Sequence, residues 1–172
     1  MEGVPPEVVV AQKARLLPSH TSSKFAMEVA SHELSRSAGI IHSLPPGAIV
    51  ASQVHDGHAD HQVTNLPLGH SQAWCGKNGE INEVTVDLLG PRLVTAISLQ
   101  GTAEHNQFVK RFELETSSNG SVWNKEGVYT GCFDNTTVVK RPLQTPRWAS
   151  FVKLRVLEFH GHPSTRMDVL VA

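Results

Sequence analysis

An antiparallel all-β sandwich is the fold this sequence predicts, and three patterns predict it. Apolar and polar residues alternate over Phe108–Glu115 and strictly over Phe151–Val156, the period of a strand with one face buried. Short strand-like runs recur from residue 48 onward, broken by clusters of Gly, Pro, Asn and Ser, which are turn formers. No convincing long helical period alternates with them, which disfavours a parallel sheet with crossover helices. Seven or eight short strands of this kind predict a sandwich or a flattened barrel.

Each element has its own signal. Val84–Leu89 reads as a strand that Gly90-Pro91 turns, and Val94–Leu99 follows it. In Phe108–Glu115, Phe112 and Leu114 share one face, with Arg111, Glu113 and Glu115 on the other. Ser118-Asn119-Gly120 is a hairpin signal ahead of Val122-Trp123. Thr137–Lys140, Ser150–Phe159 and Thr165–Val171 complete the set. Residues 1–46 differ. They carry Val8-Val9-Val10, a weakly helical stretch over Phe25–Leu34 and the pair Pro45-Pro46. They are read as a linker or short helical appendage, with the β-domain at 47–172.

Composition narrows the function. A chain of 172 residues is long enough for one domain with a sizeable core and a short appendage. A formal net charge of −1 gives no basic footprint for nucleic acid or an anionic membrane. No apolar run is long enough to span a bilayer. The start, Met1-Glu2-Gly3-Val4-Pro5-Pro6, lacks the basic and apolar regions of a signal peptide. Two settings follow: a fragment of a secreted protein, at the cell surface or outside the cell, or a cytoplasmic protein. Cys75 and Cys132 are either one bridge or two buried thiols. Asn119-Gly120-Ser121 and Asn135-Thr136-Thr137 are N-glycosylation sequons, which matter only in a secreted chain.

The ordered set Ile49-Val50-Ala51-Ser52, Ala73-Trp74-Cys75, Val86-Asp87-Leu88, Leu99-Gln100-Gly101, Phe108-Val109-Lys110-Arg111-Phe112, Ser117-Ser118-Asn119-Gly120, Trp123, Phe151-Val152-Lys153-Leu154-Arg155 and His160-Gly161-His162 resembles a discoidin domain, also called the coagulation factor five/eight type C domain. The resemblance covers about residues 48 to 171. It implies a jelly-roll β-sandwich that is not an enzyme and whose loops at one end bind glycans, phospholipid headgroups, collagen or protein partners. It implies that Trp74 and Trp123 pack between the sheets, and that Asp87 and Arg166 form an ion pair. Two departures stand out. No Cys lies near residue 47 or 171 to form the bridge that closes many members, while Trp74-Cys75 is similar to the slime-mould discoidins. Leu68 stands where members that hold a structural calcium carry Asp, and an apolar side chain gives a hard cation no oxygen. No cofactor is therefore expected.

The candidate ligand residues lie in three loops, 53–62, 66–72 and 102–107. The first holds His55, Asp56, His58, Asp60 and His61. Such residues suit a polar ligand site or a transition metal, and equally suit a solvated loop. His70 lies in the second loop, and Glu104, His105, Asn106 and Gln107 in the third. Carboxylates and carboxamides of this kind match the hydroxyls of a sugar. The first loop has no apolar residue larger than Val54 or Val63, which disfavours insertion into a membrane. No nucleophile elbow, phosphate-cradling Gly loop or Cys-x-x-Cys pair occurs. A Cys132 nucleophile is the residual enzymatic alternative. The expected function is a recognition or adhesion module that binds carbohydrate. A protein-interaction module of a larger scaffold is the second reading, and phospholipid the third.

Overall fold

The computed structural model describes residues 37–172. The Val8-Val9-Val10 run and the Phe25–Leu34 stretch lie outside the described residues. The strands are β1 (Ala38–Gly39), β2 (Ile49–Ala51), β3 (Trp74–Cys75), β4 (Glu83–Gln100), β5 (Phe108–Ser117), β6 (Asn124–Thr130), β7 (Val139–His160) and β8 (Ser164–Val171). They pair antiparallel in the order β1-β8-β4-β7-β5-β6, with β2 added to β4 and β3 to β8.

β4 and β7 are long because each one serves both layers. The first part of β4, Glu83–Asp87, pairs with β2 and with Phe151–Arg155 of β7. Its second part, from Arg92 onward, pairs with the first half of β7, and from Val94 onward also with β8. The register breaks between Asp87 and Arg92. There Leu89 (φ 58°) and Gly90 (φ 126°) turn the chain, a conformation that a β-substituted residue such as Leu89 adopts only under constraint. Asp87 supplies part of the constraint, since its Oδ1 accepts the Leu89 N–H at 2.8 Å. The runs read separately as Val84–Leu89 and Val94–Leu99 are thus one bent strand, and Thr137–Lys140 and Ser150–Phe159 are largely joined in β7.

Alternation places the core correctly. Val84, Val86 and Leu88 on one part of β4, and Val94, Ile97 and Leu99 on the other, join Phe112, Leu114, Val152, Leu154, Met167 and Val169 in one buried cluster. Trp74 is fully buried within it, and its Nε1 donates to the Gln53 carbonyl at 2.9 Å. The outward residues of β7 make a charged face instead. Arg155 pairs with Glu83 at 2.6 Å and lies 3.8 Å from Glu113, and Lys125 of β6 reaches Glu113 at 3.0 Å. β6 escaped the sequence pattern because Asn124, Lys125, Glu126 and Gly127 give an edge strand no apolar alternation.

Three expectations are corrected. Trp123 is half-buried, not in the core. It precedes β6 and its ring lies 3.9 Å from Lys153 Nζ; Lys153 alternates with the buried Val152 and Leu154, so this is the outer face, where the contact is cation–π. Asp87 and Arg166 do not pair. Asp87 sits opposite Phe151 beside the bend, while Arg166 sits opposite Gln100 at the far end of β4. The β-domain also begins before residue 47. Ala38–Gly39 pairs with Val171 and Leu170, Ile40 and Ile41 are buried in the core, and Asp168 Oδ1 accepts the Ile41 N–H at 2.9 Å. A chain beginning at Gly47 is expected to be less stable than one beginning at Ser37 by roughly 3 kcal/mol, from the loss of two buried isoleucines, measured by urea denaturation. Equal midpoints would return residues 37–46 to an appendage.

Candidate functional site

The antiparallel register gathers five connections at one end of the sandwich: 52–73 after β2, 76–82 after β3, 101–107 after β4, 131–138 after β6 and 161–163 after β7. β8 begins at this end, and every residue from Ser164 to Val169 is buried. Its side chains and backbone hold the loops from below. Arg166 donates through Nε to the Gly101 carbonyl at 2.7 Å and through Nη1 to the His70 carbonyl at 2.8 Å. Thr165 Oγ1 donates to the Gln100 carbonyl at 3.2 Å, and the Met167 N–H to the Leu66 carbonyl at 2.6 Å. Burial pulls the Arg166 guanidinium below its usual pKa. No carboxylate lies within ion-pair distance of it among the described residues, so carbonyl oxygens carry the compensation.

Above this floor lies a cleft of about 100 Å³. The first loop contributes Asp60 and His61, the second Gln72, and the third Thr102, Glu104, His105 and Gln107, with Ala73 and Cys75 from β3 and the residue before it. Five of the expected residues therefore meet: Asp60, His61, Glu104, His105 and Gln107. His55, Asp56, His58, His70 and Asn106 do not line it. His70 accepts the Gln72 N–H on its own Nδ1 at 3.1 Å, and Asn106 faces His160 at 3.3 Å. His55 and His58 pair within the loop with Asp56 and Asp60, at 3.0 and 3.2 Å. The His55 ring also packs 4.5 Å from His162 and 5.0 Å from His61. Despite this crowding of imidazoles, no three His, Cys, Asp or Glu side chains are placed to hold a metal among the described residues. Gln72 and Thr102 fall in the loops expected to bind, but their types are too common in loops to be singled out. Cys75 and Ala73 enter through β3 and the residue before it, which only the fold brings beneath the loops.

The first loop is built from three single 3-10 turns, His55–Gly57, Ala59–His61 and Val63–Asn65. It satisfies its own backbone: Gln62 Nε2 donates to the Gly57 and His58 carbonyls, and Asn65 Nδ2 to that of Ala59. In the third loop Thr102 Oγ1 donates to the His105 carbonyl, and Ser164 Oγ donates to Gln107 Oε1 at 3.1 Å. The Gln107 amide nitrogen is left without a partner among the described residues. The fourth connection is tied in by Asn135, whose Nδ2 donates to the Thr102 carbonyl at 3.1 Å. It exposes Phe133 and Val138, and Ile81 is exposed on the connection between β3 and β4. Phe133, Ile81 and Val138 all lie outside the three loops expected to bind.

The profile of the F5/8 type C domain matches residues 48–169. The chain belongs to this family. Curated relatives include mouse EGF-like repeat and discoidin I-like domain-containing protein 3, 33% identical over 59% of this chain and 24% of the relative. Neuropilin-1 of Xenopus laevis is 35% identical over 50% of this chain and 10% of the relative. The chain thus spans about a quarter of the first of these relatives and a tenth of the second. Among solved structures, recombinant discoidin II of Dictyostelium discoideum superposes with a TM-score of 0.71 at 18% identity, covering 78% of this chain and 58% of that one. The family 32 carbohydrate-binding module of Clostridium perfringens NanJ, solved with galactose, gives 0.60 at 18% identity, over 71% of this chain and 91% of that one. These two likenesses support the fold. Discoidin domains are in general non-catalytic binding modules.

The discoidin fold explains what its thiols do. Both cysteines are free and buried. Burial, with the nearby Asp134, pushes the Cys132 thiol up to about 11. Cys75 is also raised by burial, against the opposing hydrogen bond from Ser164 Oγ at 3.0 Å. Neither is a thiolate near neutral pH, and the thiolate is the nucleophile. In the second loop the Leu68 carbonyl contacts His42 Nε2 at 3.2 Å.

Two measurements check this geometry. Replacing Arg166 by Met, which keeps the volume and removes the donors, is expected to cost roughly 3 kcal/mol through two unpaired carbonyls. It should also speed amide exchange in residues 66–72 and 101–107; an unaltered exchange pattern would show that Arg166 does not hold these loops. Ellman's reagent at pH 8 is expected to find no reactive thiol in the native domain and both after denaturation. Rapid native labelling of Cys132 would contradict the burial.

Proposed function

We propose that this discoidin domain is a non-catalytic recognition module that binds carbohydrate in the loop-end cleft, within an extracellular or cell-surface protein of several domains. The observation that carries the reading is the lining of the cleft. Asp60, Gln72, Glu104 and Gln107 converge from three loops, and their carboxylates and carboxamides complement hydroxyl groups, which donate and accept at once. The galactose complex of the NanJ module and the complex of a second Clostridium perfringens module with GalNAc-β-1,3-galactose favour a galactoside as first ligand to try. An extracellular setting is supported by relatives named for EGF-like repeats, which are disulfide scaffolds of oxidising compartments. A protein partner is the second reading, favoured by the exposed Phe133, Ile81 and Val138. A phospholipid surface ranks below both, because the chain has no excess of basic charge.

A glycan array followed by calorimetry with the best galactoside tests the proposal. Glu104 is exposed, so Glu104→Ala is expected to leave the melting temperature unchanged while weakening sugar binding at least tenfold, about 1.4 kcal/mol. A blank array would remove the carbohydrate reading. A protein partner lost on Phe133→Ala, together with a blank array, would establish the second one.

A further inference from the structure

We infer that Asn119, and not Asn135, is an acceptor for N-linked glycan. Both asparagines start a sequon, Asn119-Gly120-Ser121 and Asn135-Thr136-Thr137, so the motif itself does not choose between them. The geometry does. Asn119 is exposed on the turn between β5 and β6. Its Oδ1 accepts the backbone N–H groups of Ser121 and Val122, each at 2.9 Å. The carboxamide is therefore held by its oxygen, and Nδ2, on the opposite side, has no partner among the described residues. Ser121, whose hydroxyl completes the sequon, is exposed as well. Gly120 takes φ +74° at the tip, which lets the turn present both side chains.

Asn135 is arranged the other way round. It is half-buried, and its Nδ2 donates inward to the Thr102 carbonyl at 3.1 Å. Its backbone lies against Gly101, where even a Cβ would come within 2.6 Å of the Asn135 Cα. A sugar on this nitrogen would have to enter the joint between two loops and would stand beside Thr102, which lines the cleft. Asn119 lies at the opposite end of β5, whose ten residues span about 30 Å. A glycan there leaves the cleft open.

In the transfer, Asn119 Nδ2 forms a bond to the anomeric carbon of a lipid-linked oligosaccharyl diphosphate. The bond from that carbon to the phosphate oxygen breaks, the diphosphate leaves with the electron pair, and Nδ2 gives up one proton to a base of the transferase. The inference rests on the extracellular reading for its occurrence in the cell. The test is independent of that reading, because a secretory leader fused to the chain routes it past the transferase whatever its native compartment. Intact mass and glycopeptide mapping of the product from cultured animal cells are expected to show a peptide-N-glycosidase-sensitive increment on Asn119, retained in Asn135→Gln. It should vanish in Asn119→Gln and in Ser121→Ala, the latter keeping the Asn119 hydrogen bonds and so the fold. A secreted product bare at Asn119, or one carrying its glycan on Asn135, would overturn the inference.

Discussion

The buried guanidinium of Arg166 is the constraint on which the loop end depends. A cation with 4% exposure has lost its water and must be compensated by other dipoles. Here the compensation is the carbonyls of Gly101 and His70, which belong to different loops. Satisfying the charge therefore fixes both loops to the same strand. The neighbouring bonds from Thr165 and Met167 extend this to Gln100 and Leu66. The cleft is positioned by a strand that contributes no side chain to its lining.

The two ends of the sandwich solve different problems. At the bend end, β4 must cross from one layer to the other, and Asp87 caps the left-handed turn that allows it. At the loop end, a long connection anchored in the core by Leu66 must account for its backbone polar groups, and it does so with three short turns and the side chains of Gln62 and Asn65. Between the ends, the outer face of β4, β7, β5 and β6 is a ladder of alternating charge. Such surface pairs, half-buried at Glu83, Glu113 and Arg155, place opposite charges across strands and favour this register over a slipped one.

Identical local patterns take opposite meanings in this framework. Trp74 and Trp123 both looked like core aromatics, yet one is enclosed and the other covers Lys153 from outside. Two sequons differ in whether the amide nitrogen is unpartnered on an exposed turn or donates to the Thr102 carbonyl. His55, His58 and His61 share a spacing, but only His61 reaches the cleft, while His55 and His58 pair with Asp56 and Asp60.

By itself the sequence determined the layers. A period of two in Phe108–Glu115 and Phe151–Val156 dictates which residues face inward, and the short strands separated by turn residues predict an antiparallel sandwich. It also marked the loops in which the cleft lies, since polar residues without an apolar period have nowhere else to go. Tertiary structure alone decided which five of those loop residues meet, that Cys75 and Ala73 lie beneath them, that Ile40 and Ile41 belong to the core, and that Arg166 is held by carbonyls instead of Asp87. Each of these is a contact between residues far apart in the chain. Local periodicity encodes the direction of a side chain relative to its own strand, and says nothing of which distant backbone will be waiting there.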